Sequence, residues 1–227
     1  MTSATTPGGV PPTSPSNGHE SAERIVWIDC EMTGLDLGAD ALVEVAAVVT
    51  DSELRVLGDG VDVVIAPPVE AVDQMSDFVR TMHTTSGLLT ALSAGTSLAD
   101  AQAQVLDYIR TWVPDPGKAP LAGNSVGTDK AFLDRDMPEL VAHLHYRVID
   151  VSSIKELARR WYPRVYFASP RKNGGHRALA DILESIDELR YYRAALLPAQ
   201  PGPDSASARR IAAEVVSTSV KGPAPSA

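Results

Sequence analysis

The chain has 227 residues, 44% of them hydrophobic and 22% charged, a globular balance that suits one domain with a sizeable core. Its net charge of −9 argues against a grip on long nucleic acid, which requires many Lys and Arg on phosphates, so a nucleic-acid substrate should be short. No apolar run approaches the roughly 20 residues of a membrane span, the N-terminus lacks a secretory pattern, and the lone cysteine, Cys30, excludes an internal disulfide framework. A cytoplasmic location is therefore expected.

Residues 1–22 are dominated by Thr, Ser, Pro and Gly and predict a disordered leader. The next stretch, Ile25-Val-Trp-Ile-Asp29-Cys-Glu31-Met-Thr-Gly-Leu35, reads as a buried strand ending in a glycine turn. Side chains at i and i+2 of a strand share one side, so Asp29 and Glu31 converge while Cys30 points away as a packed thiol. Two carboxylates so placed call for a cation, and oxygen ligands suit Mg²⁺ or Mn²⁺. Asp-x-Glu alone is common, however, and a solvated strand end is the plainer account.

Ala41 to Thr50 predicts a second strand, and Asp59 to Ala66 a third, joined by a hairpin into a meander. Glu44 interrupts the apolar run; a solvent-facing or structural role is favoured over one in the Asp29 and Glu31 site. Met75 to Leu92 is helical or loop-like and carries Phe78 and His83. Thr96 to Trp112 spaces its apolar residues at three and four, with Ser97 a candidate cap. Pro120 to Gly123 is a short strand running into Asn124-Ser125-Val-Gly127-Thr-Asp129 and a helix. A strand, a Gly- and Ser-containing turn and a helix commonly position an α/β active-site residue, although Asp129 could equally be there for the helix dipole.

Tyr146 to Val151 is a further strand and Ser152 to Trp161 a helix. A polar loop then delivers His176 to a final helix from Arg177 to about Leu197. His176 and Asp181 lie about 140° apart around such a helix, so they share a cleft only if His176 sits at its entrance. Residues 198–227 predict a mostly disordered tail with a short helical stretch around Ala208 to Val216. The folded unit is thus 23–197.

Asp29, Glu31, Asp129, His176 and Asp181 all fall near strand ends or helix starts of an alternating α/β pattern. Four carboxylates and one histidine suit two divalent cations on a phosphodiester, with the imidazole as general base for a water. Three ordered motifs and their flanks, Trp27 to Leu35, Gly123 to Asp129 and His176 to Asp181, with His145-Tyr-Arg147, Asp150-Val-Ser-Ser153 and Lys155 to Trp161, resemble the Asp-Glu-Asp-Asp exonucleases with a histidine in the third motif. Among these the match is to the oligoribonuclease family. The resemblance implies a ribonuclease-H-like α/β fold, a central mixed five-stranded sheet flanked by helices. It implies a homodimer that removes 5′-mononucleotides from the 3′ ends of short RNA oligonucleotides and dinucleotides with two Mg²⁺ or Mn²⁺ ions.

Carried over residue by residue, Asp29, Glu31, Asp129 and Asp181 would bind metal and His176 would be the base. Leu35 matches an apolar wedge between bases, and Phe78 and His83 match base-stacking positions. Ser125, Tyr146, Arg147 and Ser152 match a pocket for the 5′ phosphate, with Tyr146 and Arg147 lent by the second subunit. The competing readings are a sibling exonuclease trimming longer RNA or DNA ends and an inactive dinucleotide-binding module.

Overall fold

A computed structural model describes residues 23–171 and 175–219 of the chain; the expected leader at 1–22 lies outside them. Five strands, β1 (Ile25–Met32), β2 (Leu42–Thr50), β3 (Val56–Val64), β4 (Pro120–Gly123) and β5 (His145–Asp150), form one sheet in the order β3-β2-β1-β4-β5. The first three pair antiparallel as the expected meander, and β1, β4 and β5 run parallel. β3 begins earlier than the sequence pattern suggests, because the chain reverses within Asp51–Arg55, where Leu54 takes a left-handed φ of 66°. The helices are α1 (Val69–Asp73), α2 (Asp77–Thr85), α3 (Leu88–Ala91), α4 (Leu98–Trp112), α5 (Gly127–Asp136), α6 (Pro138–His143), α7 (Val151–Trp161), α8 (Pro163–Phe167), α9 (Ala178–Leu196) and α10 (Ser205–Ser219). The ribonuclease-H-like α/β architecture expected from the motifs is the one observed.

Alternation along β1 and β2 divides the core. Val26, Ile28 and Cys30 with Val45, Ala47 and Val49 face one side, where Ala101, Val105 and Ile109 of α4 cover them. Trp27 on β1 and Ala46 and Val48 on β2 face the other, covered by Ala178, Ile182 and Ile186 of α9. Asp29 and Glu31 belong to this second face by the same alternation, so α9 closes over the end of the sheet that carries them. Ser97 accepts the Asp100 amide at 3.1 Å and caps α4 as its position suggested. The helix α10 is longer than the short stretch expected there, and it leaves Ile211, Val215 and Val216 exposed.

Candidate active site

Glu31, His176 and Asp181 come together: one ligand atom of each lies within 4.8 Å of the other two. His176 precedes α9 with φ 46°, outside the helical path, which is how it reaches the carboxylate of Asp181 despite their spacing. Asp129 enters from the first turn of α5, buried, and its Oδ1 accepts the amide of Cys30 at 3.0 Å. That amide lies between Asp29 and Glu31 in sequence, so the bond ties the third carboxylate to the strand that bears the first two. Glu31, His176 and Asp181 thus form the close group, Asp129 is tied to β1 through the Cys30 amide, and Asp29 shares a face of β1 with Glu31.

The electrostatics describe a place where negative charge is in excess, with Arg177 only partly offsetting it. Burial, then the carboxylates of Asp181, Glu44 and Asp129, push Glu31 up to about 7. Burial likewise lifts Asp129 to about 6, against the opposing pull of the Cys30 amide. The Cys30 thiol, buried beside Asp129, Asp29 and Glu31, is driven well above its ordinary range and is a packed side chain, not a nucleophile. Crowded, desolvated carboxylates of this kind fit divalent cations, whose charge removes the mutual repulsion.

A cleft of about 700 Å³ opens beside His176 and is lined on its other wall by Phe78, Thr81 and Met82 of α2. Phe78 is 77% exposed and lies on this wall. His83 does not. It is fully buried, with Nε2 on the Met32 carbonyl at 2.8 Å and Nδ1 4.0 Å from the Glu31 carboxylate. The expectation of base stacking by His83 is corrected accordingly: five residues beyond Phe78 is about 140° around α2, which turns its ring inward, under the site, where no base can reach its face.

Leu35 is 74% exposed on the loop between β1 and β2. That loop is held from below. Thr33 Oγ1 donates to Asp40 Oδ1 at 2.8 Å, the Asp36 amide donates to Asp40 Oδ2 at 2.9 Å, and Arg135 donates to the Leu37 and Asp40 carbonyls while pairing with Asp136. A Cβ on Gly34 would lie 2.4 Å from Asp40 Oδ2, so any larger residue must displace the carboxylate that holds the loop.

Ser125 and Ser152 meet, their hydroxyls 3.0 Å apart. Asp150 organises them by accepting the Ser125 amide at 2.9 Å and the Ser152 amide at 3.1 Å. Asn124 links the Ser152 hydroxyl to Ser185 and the buried Glu188 on α9, and Lys155 pairs with Glu188 at 3.0 Å. Tyr146 and Arg147 project from the outer strand β5 instead of lining the cleft. Tyr146 is 78% exposed, and the Arg147 guanidinium lies 5.4 Å from its ring centre.

The residues that pattern reading passed over are the supports beneath the Leu35 loop, Thr33, Asp40 and Arg135; Glu44 stands out in the sequence, where a solvent-facing or structural role is favoured. The solvent-facing reading of Glu44 is excluded, since its side chain is completely buried; the structural one holds. It accepts Arg177 Nε at 2.7 Å and the Ala178 amide at 2.9 Å. A lone acid in the middle of an apolar strand was the available signal.

A family model described as exonuclease matches residues 26–189. The oligoribonuclease of Streptomyces avermitilis is 69% identical over 194 residues, covering 86% of this chain and 97% of that protein. The oligoribonuclease of Cutibacterium acnes is 63% identical, covering 84% and 94%. Among solved structures, the zinc-bound exonuclease I of E. coli in complex with single-stranded DNA superposes with a TM-score of 0.59 at 16% identity, over 77% of this chain and 41% of that one. That likeness concerns the fold.

Proposed function

This chain belongs to the oligoribonuclease family of exonucleases, and from that premise we propose that it is a 3′-to-5′ exoribonuclease that reduces short oligoribonucleotides, dinucleotides above all, to 5′-mononucleotides. The observation that carries the reading is the convergence of Glu31, His176 and Asp181 within 4.8 Å, with Asp129 bonded to the backbone between Asp29 and Glu31. The catalytic unit is residues 23–197.

The enzyme uses divalent metal, and Asp29, Glu31, Asp129 and Asp181 would hold it, as two Mg²⁺ or Mn²⁺ ions. When bound, the ions would supply neutralisation of phosphodiester charge and acidification of a water. His176, solvent-exposed at the mouth of α9, takes up the proton of the attacking water through its imidazole. Leu35, exposed on the loop after β1, and Phe78, exposed on the cleft wall, are suited to contact the faces of the terminal bases.

The paired hydroxyls of Ser125 and Ser152 are suited to a 5′ phosphate. Tyr146 and Arg147, on the outer strand, would complete that pocket from a second copy of the chain in a homodimer. A terminal phosphate held there leaves no path for a longer strand. The net charge of −9 suits such a substrate, because a short ligand has few phosphates to neutralise. No helix among the described residues is long and apolar enough to cross a membrane, and a cytoplasmic location is part of the same proposal.

The test is a heptaribonucleotide labelled at its 5′ end. Stepwise shortening from the 3′ end, dependent on added Mg²⁺ or Mn²⁺ and abolished in Asp181→Asn, is the expected result. Cleavage in chelator, or internal cuts, would overturn it.

A further inference from the structure

His176 has to be held in place by something. Its backbone occupies the left-handed region at φ 46°, which is unfavourable for a residue with a Cβ, and its side chain is exposed. The next residue, Arg177, is the N-cap of α9 and makes no side-chain cap of its own. The helix start is secured from the sheet instead. Glu44 Oε2 accepts the Ala178 amide at 2.9 Å, and Oε1 accepts Arg177 Nε at 2.7 Å and Nη2 at 2.6 Å. Asp62 on β3 stands 3.6 Å from the same guanidinium.

Two features distinguish this from ordinary helix capping. Glu44 is the only charged residue in a nine-residue strand that is buried throughout, a placement that is costly unless it secures a particular conformation. It also lies directly opposite Glu31 in the β1–β2 ladder. One carboxylate, on the strand beside Glu31 and paired opposite it, thus holds the residue immediately after His176. Two guanidinium donors of Arg177, Nε and Nη2, meet its Oε1 while Oε2 takes the Ala178 amide, so side chain and helix start are held by one group.

We propose that Glu44 and Arg177, steadied by Asp62, form a positioning device that sets the orientation of His176 relative to Glu31 and Asp181. Neither residue is a catalytic residue; each acts through the histidine. The inference rests on His176 being the base.

The test is steady-state kinetics of Arg177→Met, Arg177→Lys and His176→Ala on a short RNA at saturating Mn²⁺, with the Mn²⁺ affinity of each measured by titration. Arg177 is chosen because its side chain is partly exposed; Glu44→Gln is the companion variant, read only where its melting curve stays cooperative. Arg177→Met is expected to lower kcat roughly 10- to 100-fold, as a misplaced catalytic group does, with KM and Mn²⁺ affinity within about twofold of wild type. Arg177→Lys should recover part of that kcat, since it restores the charge without the two guanidinium donors. If His176→Ala is inactive while Arg177→Met keeps the wild-type kcat, the positioning role is overturned and the base assignment stands. If KM rises and kcat does not fall, Arg177 is a substrate contact and the role is likewise overturned. If His176→Ala keeps full kcat, the base assignment itself falls, and the inference with it.

Discussion

Replacing Asp129 with Asn separates what this carboxylate does for the fold from what it does for the chemistry. Its Oδ1 accepts the Cys30 amide at 3.0 Å, and an Asn carbonyl can do the same, so that donor keeps its partner. The charge is what disappears. Without metal, burial raises the carboxyl from 3.8 to about 6, so above that pH the folded protein carries an ionised group in a poor environment. At 1.36 kcal/mol per pH unit the cost approaches 3 kcal/mol, and relaxation of the site leaves about 1–3 kcal/mol. Because the folded pKa lies above the unfolded one, the native state binds the extra proton between about pH 4 and 6. Wild type loses stability as pH rises through that window, and the Asn variant does not. In chelator the two should therefore coincide near pH 4, and Asp129→Asn should be the more stable at pH 7.5, melting about 3–10 °C higher. With metal present, its turnover should fall by at least about 100-fold, since a ligand is lost. Urea or thermal melts in chelator at both pH values, beside an RNA assay, make the comparison. A variant less stable than wild type at pH 7.5, or one that retains its activity, would refute the reasoning.

Three further outcomes follow from the geometry. Glu31 shifts from 4.5 to about 7 through burial and the carboxylates of Asp181, Glu44 and Asp129, so the metal-free protein should lose stability as pH rises from about 4.5 to 7. Mn²⁺ should then raise the melting temperature more at pH 7.5 than at pH 5, measured by scanning calorimetry. Gly34→Ala places a Cβ 2.4 Å from Asp40 Oδ2; the Leu35 loop must shift, and KM for dinucleotides should rise several-fold while the melting temperature falls by only a few degrees, roughly 1 kcal/mol. Tyr146→Ala should weaken binding of a 5′-phosphorylated dinucleotide about tenfold without changing Mn²⁺ affinity, a contrast that calorimetric titration resolves.

The sheet was legible because β1 and β2 are long and apolar and because alternation decides which side chains share a face; Asp29 and Glu31 could be placed together before any coordinates were known. The motif turn at Gly123 to Asp129 and the helix after His176 were legible for a similar reason, each being a short strand or loop that runs into a helix. What could not be read were relations between distant segments. Glu44 and Arg177 are 133 residues apart, and nothing local in either signals the pair. His83 shows the opposite failure. Motif matching placed it beside Phe78 as a stacking residue, but five residues along a helix rotates a side chain well away from the first, and here the rotation buries it against Met32 and Glu31. The start of β3 was misplaced because the turn depends on Leu54 in a left-handed conformation, which composition does not reveal.

The central claim is that a metal-dependent carboxylate and histidine centre acts on the shortest RNAs. It is tested most directly by a time course on 5′-labelled RNAs of about two, seven and twenty nucleotides, with Mg²⁺, with Mn²⁺ and with chelator. The account predicts turnover only with metal, fastest on the dinucleotide. Faster trimming of the longest RNA would contradict it, keeping the catalytic centre but removing the assigned roles of Leu35, Tyr146 and Arg147.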